Sequence, residues 1–174
     1  RAKKEPQALR YGTSGTGSIA HLGIADVEQA SQTQFTHVPY KGDGPMMQDL
    51  LAERLDFGAM LVSSVSQHIK SGSMKLVAVY SAKRHPAFPD VPTLAEAGIP
   101  VEQASFGGLL APAKTPAAVV QTLEKACQQA TSTPSYAQWA VQNNQLVDYQ
   151  NSSDFGKRLA KDSQLKQTTI QRLG

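Results

Sequence analysis

Cysteine is almost missing from this chain: Cys127 stands alone among 174 residues. That excludes an internal disulfide and any cluster of thiolate metal ligands. Cys127 falls in line with Val120, Leu123 and Ala130 at helical spacing, which predicts core packing. Long apolar runs are missing too, and none approaches the roughly 20 residues of a spanning helix. Aromatic residues make up only 6%. The net charge of +3 is spread thinly, with Lys3-Lys4, Lys83-Arg84 and Lys157-Arg158 the only adjacent basic pairs. No aromatics interleave with those pairs, so a nucleic-acid surface is not expected. His21, His37, His68 and His85 lack metal-ligand spacing, and neither a metal nor a cofactor is expected. A signal peptide is not evident either. The opening Arg1-Ala2-Lys3-Lys4-Glu5 reads as the tail of a helix, which predicts a fragment or a processed form.

What the chain does have is glycine, placed with purpose. Leu9 and Tyr11 end a short strand, and Gly12-Thr13-Ser14-Gly15-Thr16-Gly17-Ser18 follows. Ile19, Leu22, Ile24 and Val27 then give the 3–4 spacing of an amphipathic helix. A strand, a glycine-rich turn and a helix start together hold anions well. Backbone N–H groups line the turn, the helix N-terminus carries about half a positive charge, and glycine admits close approach. Thr13, Ser14, Gly15, Thr16, Gly17 and Ser18 are therefore candidate ligand contacts. The competing reading is a ligand-free turn capped by Ser18.

Named motifs fit the loop poorly. Gly15-x-Gly17-x-x-Ala20 matches the permissive dinucleotide fingerprint, but the next strand reaches no acid until Asp43. A phosphate-binding P-loop needs Lys where Ser18 stands. A nucleophile elbow needs Gly where Thr16 stands. No third group orients a Ser14–His21 pair, so catalysis is not expected. His21, four residues further on, is expected to bond back to the turn.

Along the chain, a helix is predicted from Ser18 to about Ser31 and a strand at Phe35-Thr36-His37-Val38. Tyr40-Lys41-Gly42-Asp43-Gly44-Pro45 is a second glycine turn, with Pro45 at a first helical position. Tyr40 and Lys41 join the candidate ligand residues, and Asp43 is expected to shape its turn. Met46, Met47, Leu50 and Leu51 mark another helix, and Asp56 to Val62 another strand. Ser63 or Ser64 should cap a helix through Lys70. Lys75-Leu76-Val77-Ala78-Val79-Tyr80 reads as the clearest strand. This alternation predicts an α/β fold with a doubly wound, largely parallel sheet, ligands lying at the carboxyl ends of the strands.

The prolines from Pro86 to Pro92 and the one-turn helix Thr93-Leu94-Ala95-Glu96-Ala97-Gly98 suit a rigid connector. Beyond it, Ser105 to Ala111 and Leu146 to Tyr149 read as strands. Helices are expected at 116–130, from Ser135 through Trp139 and Val141, and from Ser152 to the end. Trp139 should be core. Two strands are too little sheet for a domain, so this block should complete one lying elsewhere.

These motifs converge. Tyr11-Gly12-Thr13-Ser14-Gly15-Thr16-Gly17-Ser18 with His21-Leu22 resembles a signature of the tripartite tricarboxylate transporter receptors, also called Bug proteins. So do His37 to Pro45, His68-Ile69-Lys70-Ser71-Gly72, Ser81-Ala82-Lys83-Arg84, Phe88 to Gly98 and Gly107 to Pro116. The resemblance implies a periplasmic-binding-protein-like receptor of two lobes, which hands a small carboxylate to membrane permease subunits. It implies residues 1–101 as the second lobe and 102–174 as the returning part of the first, whose remainder is absent. A homo-oligomer through the incomplete lobe then becomes an expectation. In the family, the strand matching Asp56 to Met60 commonly ends in Asp or Asn facing the cleft. Met60 and Leu61 stand here, which makes Met60 a candidate contact. A nucleotide-linked enzyme, and a truncated module that keeps the fold without binding, are the alternatives.

Overall fold

The computed structural model describes residues 1–174. They form two compact units: Arg1–Ser105 with Thr168–Gly174, and Phe106–Gln167.

The first unit is built on strand β1, Arg10–Thr13, at the centre of a three-stranded sheet. Helix α1 (Ile19–Ser31) leads to strand β2 (Thr36–Pro39), and helix α2 (Asp43–Leu51) leads back to strand β3 (Phe57–Gly58). The order is β2-β1-β3, and both pairings are parallel, with Tyr11 opposite His37 and Phe57. Right-handed crossovers in this order must put α1 and α2 on opposite faces. The pleat of β1 agrees. Tyr11 clusters with Ile24 of α1, while a Cβ on Gly12 would lie 2.7 Å from Met46 of α2 and from Leu55. The sheet is therefore wound on both sides, and only a residue without a side chain lets α2 sit this close.

Helix α3 (Val62–Lys70) follows β3. Its N-cap is Leu61, so Ser63 and Ser64 lie in the first turn instead of capping it. Pro45 likewise stands third in α2 instead of first. The segment Lys75–Tyr80 departs further from expectation. Only Val79 pairs, in a single parallel bridge to Thr93, and Val77 is exposed. The Val79 N–H reaches Pro92 O at 3.0 Å and the Leu94 N–H reaches Val79 O at 2.9 Å. A proline-rich partner offers too few N–H groups to extend the ladder.

That partner segment is clasped. The Thr93 N–H donates to Glu96 Oε2 at 2.8 Å and the Glu96 N–H to Thr93 Oγ1 at 3.1 Å, a reciprocal capping box. Arg84 Nε donates to both Glu96 oxygens and its Nη1 to Pro89 O. The Thr93 N–H first, then Arg84, hold the Glu96 carboxyl below the usual carboxylate range. A depressed carboxyl stabilises the fold above its unfolded value, and that contribution is lost as pH falls through the folded one. Residues 83–100 should thus resist protease at neutral pH. Glu96→Ala should speed cleavage there ahead of the termini, read by mass spectrometry of the fragments, and equal rates in both proteins would count against the clasp.

The end of the chain returns to this unit. Asp26 of α1 accepts hydrogen bonds from Thr169 at 2.8 Å and Arg172 at 2.9 Å.

The second unit holds helix α4 (Ala117–Thr131), helix α5 (Pro134–Gln142) and most of helix α6 (Ser152–Leu173). It has no strand: residues 105–111 and 146–149 are irregular, with Leu109, Leu110 and Leu146 exposed. An extended segment without a neighbouring strand has nothing to pair its backbone with. Trp139 is 50% exposed, contrary to its expected core place, and Cys127 is half-buried. Ala140 is the one buried apolar residue of this unit. Its packing is peripheral, with Phe106 edge-on to Phe155 and the Arg158 guanidinium 4.5 Å above the Phe106 ring.

Candidate functional site

Three parallel strands end on one edge of the first unit, and each hands the chain to a helix there. The first loop, Ser14–Ser18, is held from within. Ser18 is the N-cap of α1, and its side chain accepts the His21 N–H at 3.2 Å. Gly15 and Gly17 take φ of +146° and +74°, which side-chain-bearing residues rarely adopt. Thr13, fully buried, donates its hydroxyl to Gly15 O at 3.1 Å and lies 2.7 Å from His37 Nε2. The loop turns back on itself through Ser18 N–H to Gly15 O.

Backbone bonds tie the second loop to the first. The Tyr40 N–H donates to Thr13 O at 3.0 Å and the Gly42 N–H to Ser14 O at 3.4 Å. A long bond ties in the third, Ser64 Oγ to Asp43 Oδ2 at 3.5 Å. All three helices therefore begin together, and neither α2 nor α3 has a side-chain cap. In the first loop the N–H groups of Ser14, Thr16, Ile19 and Ala20 find no partner in the chain. The first turns of α1 and α3 carry no acid. Free N–H groups at gathered helix starts make this edge the candidate anion site, although α2 opens on Asp43.

The candidate residues occupy this edge unequally. Ser14, Thr16 and Gly17 are exposed, and Gly15 and Ser18 half-buried. The Tyr40 hydroxyl donates to Asp49 Oδ2 at 2.7 Å; burial, then Asp49, push its phenol above the usual value. Lys41 is exposed and joins none of the chain's ion pairs. Met60 is half-buried two residues beyond the end of β3, while Leu61 is 46% exposed. Ser63 and Ser64, read as caps from the sequence, instead stand in the first turn of α3 on this edge. The rule that picked out the first two loops, a helix start after a parallel strand, would have found the third.

Behind the first loop runs a column of rings. Phe57 stacks on Tyr11 at 5.6 Å, Tyr11 on His37 at 4.9 Å, and His37 on His21 at 4.1 Å. Burial pushes the Tyr11 phenol up to about 12, with Glu28 adding to it. Burial first, then the His21 ring, hold His37 below the usual histidine range. His21 Nδ1 accepts the Gly17 N–H at 3.1 Å, the bond back to the turn expected of it. No hydrogen bond joins Ser14 to either imidazole.

A groove of about 630 Å³ lies elsewhere in this unit, by the C-terminal end of α1, lined by Lys3, Pro6, Glu28, Gln32 and Arg172. It shares no residue with the three loops.

In a doubly wound parallel sheet ligands lie outside the carboxyl ends of the strands, the edge that here gathers the unpartnered N–H groups. The sequence matches the tripartite tricarboxylate transporter family receptor over residues 1–174, and the chain belongs to that family. A UPF0065 protein from the gbd 5′ region of Cupriavidus necator is 31% identical over 173 residues, 99% of this chain and 53% of its own length. Among solved structures, one described as a periplasmic transporter superimposes with a TM-score of 0.87 at 30% identity, covering 99% of this chain and 58% of that one. Rpa4515 of R. palustris, solved with adipate, gives 0.85 at 27% identity, covering 98% and 57%. The chain thus spans about half the length of the curated relative it matches.

Proposed function

We propose that this chain is the ligand-facing part of an extracytoplasmic receptor for a small carboxylate, and that the Ser14–Ser18 loop receives the carboxylate group. The observation that carries the reading is the set of unpartnered N–H groups on Ser14, Thr16, Ile19 and Ala20, with no acid in the first turn of α1. Adipate bound to a structural relative supports the ligand class. Gly15 and Gly17 open the backbone to the anion, Ser14 and Thr16 add hydroxyl donors, and Ser18 and Thr13 hold the loop in shape. Lys41 offsets ligand charge from the second loop, Tyr40 is held there through Asp49, and Met60 borders the distal end. No catalytic step is needed, and the partners are permease subunits of the transporter. The periplasmic description of a structural relative supports that compartment, and no helix is long and apolar enough to cross a membrane.

A thermal-shift screen over dicarboxylates, aromatic acids, NAD and ATP tests the reading. Response to carboxylates alone supports it. A response to NAD or ATP would favour a nucleotide enzyme using Gly15-x-Gly17-x-x-Ala20, and no response at tens of millimolar ligand would favour a fold without binding. Ser14→Ala should cost about 0.5–1.5 kcal/mol of carboxylate binding, one hydrogen bond's worth.

In this reading residues 1–101 form one lobe, and 102–174 are a returning piece of the other. The exposed Val119, Leu123, Trp139, Val141 and Leu165 support it, because such residues need a sheet to cover them. With half the clamp, the chain should bind adipate at a Kd of roughly 1 mM, about 4 kcal/mol. It should also self-associate through these faces. Sedimentation velocity would show dimers or larger species at tens of micromolar, and a sharp monomer peak would contradict the lobe assignment.

A further inference from the structure

We propose that His21 is a positioning residue of the anion loop, acting through Gly17 as an uncharged substitute for the acid of a capping box. The inference rests on the reading of the loop as a carboxylate site. In a capping box the N-cap side chain bonds the third helical N–H, and an acidic third residue reaches back to the N-cap backbone. Here Ser18 is the N-cap and His21 the third helical residue. Ser18 Oγ accepts the His21 N–H at 3.2 Å. His21 Nδ1 reaches back one residue further, accepting the Gly17 N–H at 3.1 Å. That bond fixes Gly17 at φ +74° and takes up an N–H that is not part of the helix.

Glutamate could make the same bond but would set a negative charge against an incoming carboxylate. A neutral imidazole supplies the acceptor without the charge. The bond requires the His21 proton on Nε2, since a proton on Nδ1 would face the Gly17 N–H donor to donor. Neighbouring rings keep the imidazole in place. His37 of β2 stacks on it at 4.1 Å, and Tyr11 of β1 backs His37 at 4.9 Å. Thr13 engages His37 Nε2. No carboxylate or cation hydrogen-bonds either imidazole, and Glu28, further along α1, is bonded to the Phe35 N–H. An acceptor at the third helical position is therefore what holds Gly17, and a side chain without one releases it.

The test follows the Gly17 amide of the full chain by 1H–15N spectra and solvent exchange at pH 8. In the wild type the Gly17 amide should be protected, exchanging about tenfold more slowly than in a variant without the acceptor. His21→Asn places Oδ1 where Nδ1 stood, so Gly17 should stay protected. His21→Leu keeps bulk but no acceptor, so Gly17 should be unprotected. A ring that only packs would give the reverse, with Leu better than Asn. A wild-type Gly17 amide that exchanges as fast as an unstructured glycine overturns the proposal even if a variant fails to fold.

Adipate titration at pH 8 separates this inference from the one beneath it. His21→Asn should bind as the wild type does, and His21→Glu should protect Gly17 yet lose about tenfold in adipate affinity. Gly17 exchange that follows these patterns in proteins blind to adipate would leave the positioning role standing and overturn the carboxylate reading.

Discussion

Gly15→Val should abolish the adipate response while leaving the melting curve of the chain nearly unchanged. Gly15 sits at φ +146°, and a Cβ there would meet nothing closer than Tyr40 O at 3.6 Å. Crowding is therefore not the problem; the backbone is. A β-branched residue in that region is strained by about 1–3 kcal/mol, and the loop escapes by rotating its peptides. Rotation turns the Ser14 and Thr16 N–H groups away from a common point, so several hydrogen bonds are lost at once. The expected fall is at least 100-fold, beyond detection for a millimolar site. Ser14→Ala, measured beside it, removes one hydroxyl and leaves the backbone as it was. Equal and small losses from the two would show that the N–H groups do not hold the ligand.

Tyr11→Ala should destabilise the first unit by about 3–5 kcal/mol, the range for deleting a large buried aromatic side chain. Tyr11 is 2% exposed, belongs to the core cluster with Ile24 and Ala59, and touches three further rings. Domain stabilities run about 5–15 kcal/mol, so the variant should be partly unfolded at room temperature. Tyr11→Phe should lose far less, because the ring stack remains. Urea denaturation followed by far-ultraviolet circular dichroism reads both. A loss under 1 kcal/mol for Tyr11→Ala would mean that the column is not what joins α1 to the sheet.

The parts of the fold read correctly from sequence are those whose signals are local. Ser18 announced α1 because an N-cap acts within three residues, and the Thr93–Glu96 capping box was visible for the same reason. The apolar spacing of α4 and α5 needed no partner to be legible. Lys75 to Tyr80 was misread because strand propensity records a suitable side-chain pattern, whereas a strand exists only beside another. Residues 105–111 and 146–149 failed on the same ground. Trp139 was assigned to a core that these residues do not build. In the candidate site, the glycine loop was plain. The Thr13–His37–His21 arrangement was not, since its members lie on three elements and meet only through the register that sets Tyr11 opposite His37.

One titration tests the central claim most directly: adipate added to the 15N-labelled chain, with every backbone amide followed. Saturable shifts should appear first and largest at Ser14, Thr16, Ile19 and Ala20, then at Lys41 to Gly44 and Leu61 to Ser64, with half-saturation near 1 mM. Amides lining the groove by Lys3, Glu28 and Arg172 should stay still. Shifts confined to that groove, or a loop silent at tens of millimolar adipate, would contradict the assignment of the anion site.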